Sequence, residues 1–178
     1  MSKAQHKSQS GRTLKIAVFI IYIIAIVYFM FFGFDRPHFG STHQEYRYDL
    51  VPTGIPLWFP KSLENINLWV FSLGNLLAFV PFGILVPMIF SIRYPKFILI
   101  FILSIISFEA LQMITYLGSF DTADILVNTI GATIGFVTYS ICGRLKTLLR
   151  KIVGGAAVIS LFTFTAILLA ELLKMVFA

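Results

Sequence analysis

The chain is short of charge. Asp, Glu, Lys and Arg make up 12% of its 178 residues, about half the ~25% of a soluble domain. Hydrophobic residues reach 58% and the mean hydropathy is +0.88. That balance excludes a soluble globular domain and points to a protein whose solvent is mostly lipid. Cysteine is nearly missing too. The single Cys142 excludes an intrachain disulfide and reads as a small apolar residue at a helix end. The three histidines, His6, His38 and His43, stand at no metal-ligand spacing, and neither HExxH nor a Gly-rich phosphate loop occurs. No metal and no cofactor are therefore expected. Nucleic acid is not expected as a partner either, because the net charge of +6 forms no basic stripe interleaved with stacking aromatics.

What the chain does have is long apolar runs. Five meet the ~20-residue length of a membrane span: Leu14–Phe34, Leu68–Ile92, Phe97–Tyr116, Asp124–Cys142 and Ile152–Phe177. The expected fold is an all-α integral membrane protein, a bundle of about five transmembrane helices. Residues 1–13 read as a disordered cytoplasmic arm, 35–67 as an extracytoplasmic loop, 68–142 as the core, 143–151 as a basic cytoplasmic loop, and 152–178 as the last span. The first run follows basic residues, but it is too long for a signal peptide and lacks a small-residue cleavage site, so it reads as an uncleaved anchor. The positive-inside rule favours N-in, C-out. Ten of the 14 Lys and Arg then lie inside: Lys3, Lys7, Arg12, Lys15, Arg93, Lys96, Arg144, Lys146, Arg150 and Lys151.

Polar groups inside such runs are costly and therefore informative. Glu109, Gln112, Asp121, Asp124 and Asn128 crowd around the short turn between the third and fourth runs. Depth can be counted from the outer ends at ~1.5 Å per residue. Asn75 and Glu109 then fall roughly 10 Å down, Gln112 and Asn128 roughly 6 Å down, and the two aspartates at the rim. One shared, outward-facing polar site is expected. Asp121, Asp124, Asn128, Gly131 and Gly135 follow steps of three and four, so they share a helix face whose lower part permits close packing. Pro81 frees the carbonyl of Leu77 and counts with that packing set. Glu109 is the candidate catalytic group. A carboxyl at that depth is protonated, paired with a cation such as Arg47 or Lys61, or open to water. Glu171 and Lys174, one turn apart, read as an interfacial pair.

Three blocks give the chain a resemblance to the VanZ-like family of bacterial membrane proteins: RYDLVP (47–52), GNLLAFVPFGILVP (74–87) and FEALQMITYLGSFDTADILVNTIGATIG (108–135). Asp49 stands where the family often has Asn, and Ala123 where a small polar or acidic residue is commoner. The family is named for a member associated with resistance to teicoplanin-type glycopeptides. The resemblance implies a cell-envelope protein of the bacterial membrane that limits drug access at the outer leaflet. Its partners would be the lipid bilayer and a lipid-linked cell-wall precursor or lipoglycopeptide. The alternative is an intramembrane enzyme that modifies a lipid-linked or cell-surface substrate through the same polar residues. A small transporter or assembly factor ranks last, since five helices leave little material for a conduction path.

Overall fold

In a computed structural model, the protein is described over residues 3–33, 45–52, 55–60 and 62–177. Arg36, His38, His43 and Lys61 lie outside these residues. Five helices are long and apolar enough to cross a membrane. They are α1 (Lys3–Phe32), α2 (Leu63–Phe90), α3 (Tyr94–Ile114), α4 (Thr122–Cys142) and α5 (Leu148–Phe177). Each of α1, α2 and α5 begins before its apolar run does. Once the run is helical, propagating a further polar turn is far cheaper than nucleating one. Ser62 also caps α2, its hydroxyl accepting from the Asn65 N–H, which satisfies one orphan donor of the first turn. The helix α1 thus extends back to Lys3, into the segment expected as an arm.

The packing is organised by α2 and α4. Hydrophobic burial drives little association between helices in hydrocarbon, so close backbone contact matters more. A Cβ placed on Gly131 would lie 2.0 Å from the Leu76 carbonyl oxygen, and one on Gly135 2.0 Å from that of Val80. On the facing helix, a Cβ on Gly83 would lie 2.0 Å from the Ala132 oxygen. Three glycines therefore let two backbones touch. The matched positions advance together, 76 with 131 and 80 with 135, so α2 and α4 run parallel. Pro81, half-buried, sits in α2 beside this contact, and α2 also carries Pro87.

Two apolar clusters flank the crossing. One joins Leu76 and Val80 of α2, Val127 and Ile134 of α4, and Ile167 and Ala170 of α5. The other joins Phe79 to Phe97, Phe101 and Ile105 of α3. The anchor helix α1 packs lightly, with 6% of its most apolar window buried. It is held instead by polar ties. The Tyr22 hydroxyl donates to the Ala78 carbonyl, and the Gln112 side-chain amide donates to the Met30 carbonyl at 2.6 Å.

The described helices are joined by one small non-helical feature. Strand β1 (Tyr48–Asp49) pairs in parallel with β2 (Phe120–Asp121). Segment 45–52 is thereby fixed across the α3–α4 turn.

The glycine contact generates a paired test. Gly135→Ala places a methyl group against the Val80 carbonyl and is expected to cost about 1–3 kcal/mol or more. Gly74 has nothing within 4 Å of an added Cβ, so Gly74→Ala is expected to be neutral or to stabilise by about 0.5–1 kcal/mol. Thermal unfolding in detergent distinguishes the two.

Candidate functional site

The α3–α4 turn gathers the polar groups because both helix ends need unusual caps. Helix α3 ends on Tyr116, whose φ of 59° is left-handed. Such a conformation costs a non-glycine residue about 1–2 kcal/mol. Two backbone bonds offset it: Tyr116 N–H to Met113 O at 3.2 Å and Leu117 N–H to Gln112 O at 3.1 Å. They satisfy carbonyls that a helix end otherwise leaves open. Leu117 is then buried, at 2% exposure, and the Tyr116 ring stacks on Tyr46 at 5.1 Å between centroids. A hydrogen bond to Tyr46 holds the Tyr116 hydroxyl above the usual tyrosine range. At the next helix start, Asp121 is the N-cap of α4, its carboxylate accepting from the Ala123 N–H at 2.7 Å.

Glu109 lies directly beneath this turn. Its carboxyl is 2% exposed and accepts from the Asp121 N–H at 3.3 Å. Asn75, on α2, donates its amide to the Asp124 carboxylate at 3.2 Å. One turn deeper on α4 lies Asn128, also 2% exposed. Among the described residues its side-chain oxygen has no hydrogen-bond partner. An open acceptor at that burial costs about 1–3 kcal/mol in protein. Such a group calls for an explanation, and the hydroxyls of Thr129 and Thr163 are buried and open in the same way.

Segment 45–52 is bonded across the α3–α4 turn. The Arg47 carbonyl accepts from Phe120 N–H at 2.9 Å, and the Thr122 hydroxyl donates to the Asp49 carbonyl at 3.1 Å. The second piece, 55–60, runs between α2 and α5. Leu57 is fully buried, and its carbonyl accepts from the Trp69 indole at 3.0 Å. Burying a leucine contributes about 1.5–3 kcal/mol, enough to make this stretch a plug and not a surface loop. Glu171 and Lys174 both serve it. Glu171 accepts from the Phe59 N–H at 3.0 Å, and the Lys174 ammonium sits 4.6 Å from the Trp58 ring centre. The two therefore bind the loop, where the sequence suggested an interfacial pair.

The structure pairs these residues differently from the depth count. Asn75 meets Asp124, and Glu109 meets the Asp121 backbone. Gln112 turns to α1. There its amide satisfies one of the last four carbonyls of that helix, a capping task. Tyr46, Leu57 and Tyr116 were missed. The available signal was the run of Tyr and Val around 46–51, which favours extended structure. Among the described residues, no three His, Cys, Asp or Glu side chains gather into a group that would hold a metal ion.

Five apolar spans with a capped polar cluster at one end define a multi-pass membrane protein. The chain belongs to the VanZ/LLP1 family, whose profile matches residues 19–143. It is also similar to Protein VanZ of Enterococcus faecium, at 24% identity over 144 residues, covering 75% of this chain and 78% of that one. No solved structure matches.

The Asn75–Asp124 bond is open to direct test. A double-mutant cycle of Asn75→Ala and Asp124→Ala, read by unfolding in detergent, is expected to give a coupling of about 0.5–1.7 kcal/mol. A coupling of zero would mean that the two side chains act independently.

Proposed function

We propose that the protein is a bacterial cell-membrane protein, N-in and C-out, that protects the envelope from teicoplanin-type glycopeptides. Membership of the VanZ/LLP1 family supports the link to teicoplanin resistance. The observation that carries the finer reading is the Asn128 oxygen, buried and open. It stands one helical turn from Asp124, which accepts from Asn75, on the helix whose first residues cap over Glu109. In the proposed orientation the cluster faces the outer leaflet. There it meets an acylated drug or a lipid-linked wall precursor, both of which present amide and hydroxyl donors beside an apolar tail. An open amide oxygen accepts from such donors, and the carboxylates add charge-assisted bonds. Holding either molecule would limit how the drug reaches its target. The strapped loop makes the cluster selective, because a ligand must enter beside β1 or displace it.

A second reading, an intramembrane enzyme acting on a lipid-linked or cell-surface substrate, draws on Glu109 alone. A buried carboxyl next to a cluster of amides suits general acid or base work. Its Oε2 is committed to the Asp121 N–H, which favours a positioning task, so binding ranks first.

Two measurements bear on this. In cells making the protein, teicoplanin sensitivity is expected to fall while vancomycin sensitivity is unchanged. Glu109→Gln and Asp124→Asn, at equal abundance in the membrane, are expected to lose the effect. No change between empty and expressing cells would remove the protective reading. For orientation, Cys142→Ser supplies a cysteine-free background. An impermeant maleimide is then expected to label Ser119→Cys in intact cells and to label Thr147→Cys only after lysis. The reverse pattern would invert the topology and place the cluster at the inner leaflet.

A further inference from the structure

At the end of the bundle opposite the polar cluster, a groove runs between α1, α2 and α3. It encloses about 620 Å³, within the ~300–1,000 Å³ typical of small-molecule sites. Its walls are rings: Phe19 of α1 lies 5.9 Å from Phe82 and 6.2 Å from Phe90 of α2, and Phe97 of α3 lies 6.0 Å from Phe82. A smaller apolar crevice of about 40 Å³, lined by Met30, Phe79 and Phe108, shares Phe82 with it.

The mouth of the groove has a different character. Ser91, Arg93 and Lys96 line it, and no carboxylate does. Ser91 ends α2 in the left-handed region, at φ 49°, a conformation a serine rarely takes without compensation. Its N–H bonds back to the Pro87 carbonyl, so the chain reverses sharply and α3 starts three residues later, at Tyr94. Arg93 is the N-cap of α3, which sets the positive end of that helix's dipole at the same mouth. Both cations also count toward the positive-inside balance, but here they line an apolar groove as well.

We propose that this groove seats one anionic glycerophospholipid from the leaflet facing the α2–α3 turn. Its acyl chain lies along Phe19, Phe82 and Phe97, and its phosphate is held by Arg93 and Lys96. A guanidinium meets phosphate oxygens in a planar fork, and the ammonium adds a point charge. A lipid with net negative charge is selected over a zwitterionic one because no acidic side chain in the groove offers a place for a headgroup ammonium. The inference does not depend on the polar cluster or on which leaflet is involved.

The test uses the full-length protein in detergent and native mass spectrometry, titrated with phosphatidylglycerol or phosphatidylcholine. Phosphatidylglycerol is expected to bind as a single adduct and more tightly than phosphatidylcholine. Arg93→Gln/Lys96→Gln is expected to weaken it by roughly tenfold or more. Arg150→Gln/Lys151→Gln, with the same loss of charge elsewhere, is expected to bind as wild type does. Ile100 lines the groove and is 47% exposed, so Ile100→Trp narrows the groove without disturbing the core and is expected to weaken binding. Equal affinity for the two lipids, or an undiminished adduct in Arg93→Gln/Lys96→Gln, overturns the proposal. So does equal weakening by the two double variants, which would mean diffuse surface charge. An unaffected Ile100→Trp protein overturns the groove as the seat.

Discussion

Everything else in this protein rests on the contact between the backbones of α2 and α4. Side chains cannot hold these helices together by avoiding water, because there is none to avoid. What remains is contact at van der Waals range, and Gly83, Gly131 and Gly135 supply it by having no side chain at the crossing. Two parallel helices pressed this closely share a common level along their length. That level brings Asn75 to Asp124 and fixes the Phe79 and Leu76 faces around which α3 and α5 pack. The two prolines of α2 fit the same scheme, since a helix bound by its neighbour tolerates lost internal bonds.

The three sequence blocks that carry the family resemblance prove to be three surfaces in mutual contact. Residues 74–87 supply one side of the glycine crossing, and 108–135 supply the other side together with the turn above it. Within the first block, Tyr48–Asp49 lie across that turn as a strand. Helix α5 enters mainly through Glu171 and Lys174, which grip the 55–60 plug. The α3–α4 turn and the 55–60 plug are thus each held by segments far apart in the chain.

Some of this was legible in the sequence. The spans follow from length and hydropathy, and the small-residue face of α4 follows from steps of three and four. Both aspartates suit a helix start, and the structure makes Asp121 the N-cap with Asp124 in the first turn. The rest was hidden for physical reasons. Counting along a helix gives height but not azimuth, so Gln112 and Asn128 seemed matched although Gln112 faces α1. A strand of two residues carries no periodicity; β1 exists only because the α3–α4 turn offers it a partner. Leu57 sits among prolines and aromatics that suggest a surface, and only the gap between α2 and α5 makes it core. Gly83 has the sequence context of a kink, and its use as a contact depends on where Gly135 lies.

The bond from Gln112 to Met30 has a consequence for how the molecule is built. Its two ends are 82 residues apart in the chain. Helix α1 is made before α3, yet its Met30 carbonyl finds its side-chain partner only when α3 arrives. Until then water or lipid headgroups must serve. Little of α1 is buried against the others, so during that interval the Tyr22 bond to α2 is its polar tie. Assembly of this protein is thus a matter of order: α1 is tied near its middle by α2, and at its end only once α3 is in place.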